Sequence, residues 1–283
     1  MKEALFYEAK DNSKVRCRLC PHNCLILEGK LGLCGVRKNQ KGKLYSLIYA
    51  QATSLALDPI EKKPLYHFHP GEFILSIGTK GCNLSCLFCQ NWNISKDLNA
   101  PTEEISSEFI IKRAKQLNSF GVAYTYNEPF IWYEFVLDTA KLAKEEGLKN
   151  VLVTNGYVNL EPLKEILPLI DAMNIDIKSI EDKFYINTCG GRVEPVLEVI
   201  KESHKHCHIE LTNLIIPTLN DSQENFIKLT DWIYTNLGDS VPLHFSRYFP
   251  CYKMDLAPTP IATLKKAEEI ARKKLKFVYL GNV

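Results

Sequence analysis

The chain has 283 residues, 46% hydrophobic and 24% charged, with 35 basic against 33 acidic side chains and a net charge of +2. This suits one large α/β domain, or one such domain with a small appendage, and gives no basic surface of the kind nucleic acids need. The polar start, Met1–Asn12, lacks a signal peptide's apolar run, and no stretch of about 18 apolar residues follows; a cytoplasmic protein with no membrane partner is expected.

Up to about Leu65 the chain is a cysteine-rich loop segment with Pro21, Gly29, Gly32 and Gly35, a charged turn at Lys38–Lys43, and a strand-like run, Leu44–Tyr49. Residues 1–65 read as a small metal-knit module with a β-hairpin or two. Residues 66–283 read as one alternating array. It opens with a strand, Phe73–Gly78, and a helix, Ser106–Ser119, whose Phe109, Ile110, Ala114 and Leu117 keep helical spacing. A strand at Val122–Tyr126 precedes a helix that begins at Pro129 and ends near Glu146, before Gly147. The strand Asn150–Thr154 is closed by Asn155-Gly156. Helices near Leu160–Leu167, Glu194–His204, Ser222–Leu237 and Thr259–Lys274 then alternate with strands at Ala172–Lys178, His208–Ile216, Leu243–Tyr248 and Lys276–Leu280. Such alternation implies parallel βαβ units. About seven strands result, so the fold expected is α/β: a partial TIM-like (β/α) barrel behind a cysteine-rich amino-terminal module.

Ten cysteines are many for a reducing compartment, where clustered thiols read as metal ligands or catalytic groups. Cys189, Cys207 and Cys251 are scattered. Cys82, Cys86 and Cys89 form a C-x3-C-x2-C loop just after the first strand of the array, the face on which parallel barrels carry their active sites. Three thiolates can hold three corners of an iron–sulfur cubane and leave one iron open to a small molecule. Phe88 adds an apolar cover. A structural zinc site would ask for paired C-x2-C units and four protein ligands, and the loop has neither. Cys17, Cys20, Cys24 and Cys34 form a second, four-thiolate set, which fits zinc, an iron–sulfur cluster or free thiols.

The three-cysteine loop with its aromatic before the last cysteine resembles the signature of the radical SAM superfamily. The resemblance extends roughly from Pro64 to Val283 and is closest to the pyruvate formate-lyase activating enzyme-like branch and, within it, to AmmeMemoRadiSam system radical SAM enzymes. The residues that carry that closer match are Cys17–Cys34 with Gly35-Val36-Arg37, Lys63-Pro64-Leu65-Tyr66-His67-Phe68, Thr79-Lys80-Gly81, Tyr124-Thr125-Tyr126-Asn127-Glu128-Pro129 and Tyr279-Leu280-Gly281-Asn282-Val283. Chains of this kind usually continue into a short tail with further cysteines; this one stops at Val283.

The resemblance implies a [4Fe-4S] cluster on Cys82, Cys86 and Cys89 and S-adenosylmethionine (SAM) chelated at the open iron. It further implies reductive cleavage to a 5′-deoxyadenosyl radical and hydrogen abstraction from a carbon, of which a backbone glycine, as in the activating enzymes, is one case. An electron donor such as flavodoxin or ferredoxin is implied, with partners from the same three-component system. Thr125, Asn127 and Glu128 match the segment that holds the SAM amino group and offer acceptors for it; the plainer reading is a helix cap at Asn127. Asn155, at the end of the third strand, is either a ligand contact or part of an ordinary Asn-Gly turn. Asp176 and Lys178 lie two apart on the fourth strand, facing one way, and contact SAM or substrate or else form an internal ion pair with another strand. His208, Glu210 and Thr212 share a face of the fifth strand, and a lone His244 reads as a satisfied core residue. The rival class is an iron–sulfur electron-transfer or metal-binding protein without SAM chemistry.

Overall fold

The computed structural model describes residues 1–283. Its centre is an eight-stranded sheet: β1 (Ser54–Pro59), β2 (Phe73–Gly78), β3 (Gly121–Tyr124), β4 (Lys149–Thr154), β5 (Ala172–Asp176), β6 (His208–Ile215), β7 (Leu243–Arg247) and β8 (Val278–Gly281). The strands lie in chain order across the sheet. β2 through β8 are parallel, and β1 joins β2 antiparallel, with Ser54 opposite Gly78 and Pro59 opposite Phe73. The seven parallel strands expected are present.

β1 is not among the strands expected: it is an edge strand whose Leu55 and Leu57 are exposed, and its apolar run is only Leu55–Leu57, shorter than that of a strand covered on both faces. The run expected at Leu44–Tyr49 is a strand only over Lys43–Ser46.

Helices α1 (Ser107–Gln116), α2 (Tyr133–Glu145), α3 (Leu160–Ile166), α4 (Val193–His204), α5 (Gln223–Leu237) and α6 (Ile261–Ala271) alternate with the parallel strands. Ser106 and Ser222 cap α1 and α5 by accepting from the Phe109 and Asn225 amides. α5 ends at Gly238, whose φ of +88° suits glycine.

β1 and β8 do not pair, so the barrel is open. Residues 64–69 bridge the gap. Leu65 is buried with Ile60, Ile74, Ala123, Val151 and Ala172, and His67 Nε2 meets the Tyr279 hydroxyl at 2.6 Å. The Pro64 carbonyl accepts from Asn174 at 2.8 Å. The KPLYHF motif thus closes the barrel from within.

Ahead of β1 lie two three-stranded antiparallel sheets, one of Lys2–Glu3, Lys43–Ser46 and Arg37–Gln40, the other of Tyr7–Lys10, Lys14–Cys17 and Leu25–Ile26. The first region thus supplies its own small sheets over residues 2–46 and then gives residues 54–59 to the edge of the large one.

Candidate active site

The carboxyl ends of the parallel strands open on a cavity of about 550 Å³. Cys82, Cys86 and Cys89 all line it, and so do Thr125, Asn127, Glu128, Asn155, Asp176 and Lys178. The fold gathers onto one wall residues that the sequence spreads over nearly a hundred positions.

Backbone hydrogen bonds from distant elements hold the cysteine loop. The Ser85 and Leu87 amides donate to the Cys189 and Thr188 carbonyls at 2.7 and 3.0 Å, and the Lys253 amide donates to the Leu87 carbonyl at 2.9 Å. Gly190, at φ +71°, lies so close that a Cβ there would sit 2.3 Å from Ser85 Oγ. The two scattered cysteines that flank the loop are therefore neighbours of the set. Cys189 Sγ hydrogen-bonds Cys86, and Cys251 Sγ donates to the Cys89 carbonyl at 3.4 Å. Cys189 arrives on a π-helical turn, Tyr185–Cys189, which no sequence signal announces.

The sulfur environments differ. Burial pushes the Cys82 thiol up to about 12. The Cys86 thiol is lowered, first by the Cys189 hydrogen bond and then by the Lys178 and Lys96 cations. Asn155 Nδ2 donates to Cys82 Sγ at 3.6 Å, and Cys89 Sγ meets Ser95 Oγ at 3.0 Å. No group of three or more His, Cys, Asp or Glu side chains is placed to hold one metal ion. Three unpaired thiols spread over one cavity wall suit a cubane, whose irons each take a separate thiolate, better than a single ion. The donor set fits a [4Fe-4S] cluster.

Several polar residues on the wall are engaged with each other. Glu128 is fully buried; its Oε1 accepts from the Phe130 amide (3.0 Å) and the Thr154 hydroxyl (2.8 Å), and its Oε2 from the Asn155 amide (2.8 Å). It is the N-cap of the turn Pro129–Trp132 that leads into α2. The cap expected at Asn127 falls instead on Glu128, because Asn127 is used elsewhere: its Oδ1 accepts from the Thr79 amide (3.1 Å) and its Nδ2 donates to the Gly81 carbonyl (3.0 Å). Burial pushes the Glu128 carboxyl up to about 7, against the three hydrogen bonds it accepts. Lys178 lies past the end of β5 and pairs with Asp176 at 3.0 Å, so the ion pair is between these two residues. Asp176 keeps a 38% exposed side chain towards the cavity.

Deeper in the barrel, β6 and β7 form a charged network. Glu210 is wholly buried and is hydrogen-bonded by His244 Nε2 at 2.6 Å, His208 Nε2 at 3.0 Å and the His67 amide at 2.8 Å. Burial opposes ionisation, but His208 and His244 outweigh it and hold the carboxyl at about 2. His244 is thus satisfied by Glu210, as its reading implied, yet it also lines the cavity beside Tyr66.

In the amino-terminal set, the Cys20 thiol is pushed up to about 12, first by burial, with Cys17, Cys34 and Cys24 all near enough to contribute. Beneath it lies a fully buried ion pair, Arg37 to both oxygens of Glu134 at 2.7 and 2.8 Å. Arg37 Nε has no hydrogen-bond partner.

Comparison with known proteins decides the family. The Radical SAM superfamily profile matches residues 76–230, over half of the chain. The chain belongs to the radical SAM superfamily. An uncharacterized protein of Methanocaldococcus jannaschii, MJ0808, is 48% identical to this radical SAM enzyme over 288 residues, covering 100% of the chain and 86% of that protein. The pyruvate formate-lyase-activating enzyme of Clostridium pasteurianum is 29% identical over 164 residues, 54% of this chain and 66% of that enzyme. The chain therefore spans just under two thirds of the activating enzyme's length. In fold it is similar to Streptococcus suis SuiB bound to S-adenosylmethionine, with a TM-score of 0.57 at 15% identity, over 71% of this chain and 48% of SuiB. Family membership brings iron–sulfur and SAM chemistry with it. No helix is long and apolar enough to cross a membrane.

Proposed function

We propose that Cys82, Cys86 and Cys89 hold a [4Fe-4S] cluster in this cavity and that the enzyme cleaves SAM there to abstract hydrogen from a carbon of its substrate. One observation carries the reading: all three thiols, and no fourth cysteine, line the cavity into which six parallel-strand ends deliver polar side chains. When bound, the cluster supplies the single electron that cleaves the sulfonium.

The chain's own residues bind and orient. Thr125, Asn127, Glu128, Asn155, Asp176 and Lys178 form the SAM wall. Asn127 and Glu128 fix the backbone that shapes it, and Thr125 and Asp176 keep hydrogen-bonding capacity facing the ligand. Lys178 and Lys96 place positive charge beside the sulfurs, where deprotonated thiols are needed.

The likeness to enzymes named for activating pyruvate formate-lyase supports a protein substrate, with a backbone glycine as the target. A flavodoxin- or ferredoxin-type protein would supply the electron. We further assign a metal, zinc or iron–sulfur, to Cys17, Cys20, Cys24 and Cys34 in the module of residues 1–65; burial raises the Cys17 and Cys34 thiols, the neighbouring Arg37 offsets part of that, and a bound metal would supply the rest of the positive charge their thiolates need.

The test is direct. The chain is reconstituted with iron and sulfide without oxygen, reduced with dithionite and given SAM, and 5′-deoxyadenosine is measured. Release of 5′-deoxyadenosine is expected. A fully loaded, reduced cluster that releases none would move the assignment to an electron-transfer or metal-binding protein.

A further inference from the structure

We propose that Asn155 and Ser95 tune the reduction potential at the cysteine loop by donating hydrogen bonds to the Cys82 and Cys89 sulfurs. This rests on the cluster assignment above and adds to it the residues that set how readily the cluster takes an electron.

The Asn155 amide can face the sulfur in only one way. Its Oδ1 accepts from the Tyr157 amide at 2.8 Å, and its Nδ2 donates to Asn83 Oδ1 at 3.0 Å. Asn83 is itself fixed, since its Nδ2 donates to the Tyr157 carbonyl at 2.6 Å. A flipped Asn155 would set acceptor against acceptor and donor against donor, so the NH2 group must face Asn83 and Cys82. Its second N–H is then the one aimed at Cys82 Sγ, 3.6 Å away. Asn155 is 7% and Asn83 4% exposed, so the contact lies in low dielectric, where a hydrogen bond to a charged sulfur is strengthened. The Asn-Gly turn is rigid: Gly156 has φ +68°, and a Cβ there would meet Ile175 at 3.0 Å.

Ser95 differs. Its Oγ lies 3.0 Å from Cys89 Sγ and also 2.8 Å from the Asn91 carbonyl. A hydroxyl has one proton. With a neutral thiol, Cys89 can donate to Ser95 while Ser95 donates to Asn91. A metal-bound thiolate has no proton to give, so the contact is attractive only if the hydroxyl turns from Asn91 to the sulfur. Little is lost, because the Asn91 carbonyl keeps the Ser95 and Ile94 amides at 2.9 and 3.2 Å. Hydrogen bonds to ligand sulfurs withdraw charge and favour the more negative, reduced state. Both residues should therefore raise the potential, Asn155 by more, since its donor is oriented in advance.

The experiment uses the full chain, reconstituted without oxygen, in a mediated redox titration followed by electron paramagnetic resonance, with iron content measured in parallel. Asn155→Ala and Ser95→Ala should each shift the midpoint to more negative potential at parent iron content, the former further. Ser95→Thr, which keeps the hydroxyl, should return it to the parent value. Unchanged midpoints in both alanine variants at full loading overturn this inference alone. A parent chain that binds no iron at the loop, holding the same iron as Cys86→Ala, overturns the cluster assignment and this inference with it.

Discussion

Cys82, Cys86 and Cys89 leave a parallel strand and are held by carbonyls and amides more than ninety positions away in sequence, while the amino-terminal four sit on short antiparallel strands and turns that add local hydrogen bonds to the distant ones Asn159 gives the Arg18 and Leu19 carbonyls. There the Cys17 amide donates to the Cys24 carbonyl and the Asn23 amide to the Cys20 carbonyl, both at 3.0 Å. The first set opens on the cavity; the second lies over a buried Arg37–Glu134 pair that ties its sheets to α2. Thiol spacing alone does not separate these cases. The environment does, since thiols that open on a cavity leave room for a second molecule beside them and thiols packed against small sheets do not.

The largest expected effect breaks the comparison outright. Cys86→Ala should reduce 5′-deoxyadenosine formation to background while leaving any metal on Cys17, Cys20, Cys24 and Cys34 in place. Elemental analysis of the variant beside the parent checks both halves and identifies the amino-terminal metal. Cleavage at the parent rate would mean that the loop is not the cluster site.

How far this was legible in the sequence follows from what is local. The parallel strands alternate with amphipathic helices, and both are short-range patterns, so the array and its loop of thiols could be read directly. β1 could not, because Ser54–Pro59 offers only Leu55-Ala56-Leu57 before Asp58-Pro59, too short a run to mark a strand, and it lies exposed at the sheet edge. Nor could the approach of Cys189 to Cys86, which depends on a π-helical turn and two glycines, Gly190 and Gly191, that leave room for the Ser85 and Leu84 side chains. The polar strand-end residues could be listed, but not the division of labour among them. That Asn127 and Glu128 bind backbone, and that Asp176 and Lys178 pair with each other, are facts of registry between strands.

The next effect sharpens the comparison on the module's side. Arg37 and Glu134 are both almost wholly buried, so removing one partner leaves an uncompensated charge, a cost of about 3–5 kcal/mol. Arg37→Met should lower the urea midpoint accordingly, and adding Glu134→Met should restore much of the loss. A single variant as stable as the parent would show that the pair does not anchor the module.

Gly81 is one place where the two cysteine regions touch; at another, His22 Nε2 meets the Asn83 carbonyl at 2.7 Å. At φ +89°, a Cβ on it would lie 2.7 Å from Val36 Cγ1 and 2.9 Å from the Cys34 carbonyl oxygen. Gly81→Ala should cost roughly 1–3 kcal/mol from backbone strain, with further loss from the clash, and should disturb Cys34 as well as Cys82. Metal uptake at both sites, measured with the denaturation midpoint, tests this. Altered loading at the loop alone would mean that the regions are not mechanically joined through this contact.

The smallest effect separates two glutamates buried in one barrel. Glu128, at the cavity, is pushed up to about 7 by burial; Glu210, deeper in, is held at about 2 by its two histidines. For Glu128 the folded value exceeds the ordinary 4.5, so its stability contribution is fully present below about pH 4.5 and is lost as pH rises through 7. For Glu210 the sign reverses: its contribution is complete above about pH 4.5 and is lost as pH falls towards 2. Unfolding free energies of the metal-free chain from urea titrations at several pH values between 5 and 7.5 should therefore fall with rising pH, by about 1 kcal/mol per pH unit at most from this group. Glu128→Gln, which cannot ionise, should flatten that slope while leaving the acid-side loss due to Glu210 unchanged. If the slope survives in Glu128→Gln, another group carries it, and burial does not raise the Glu128 carboxyl as stated.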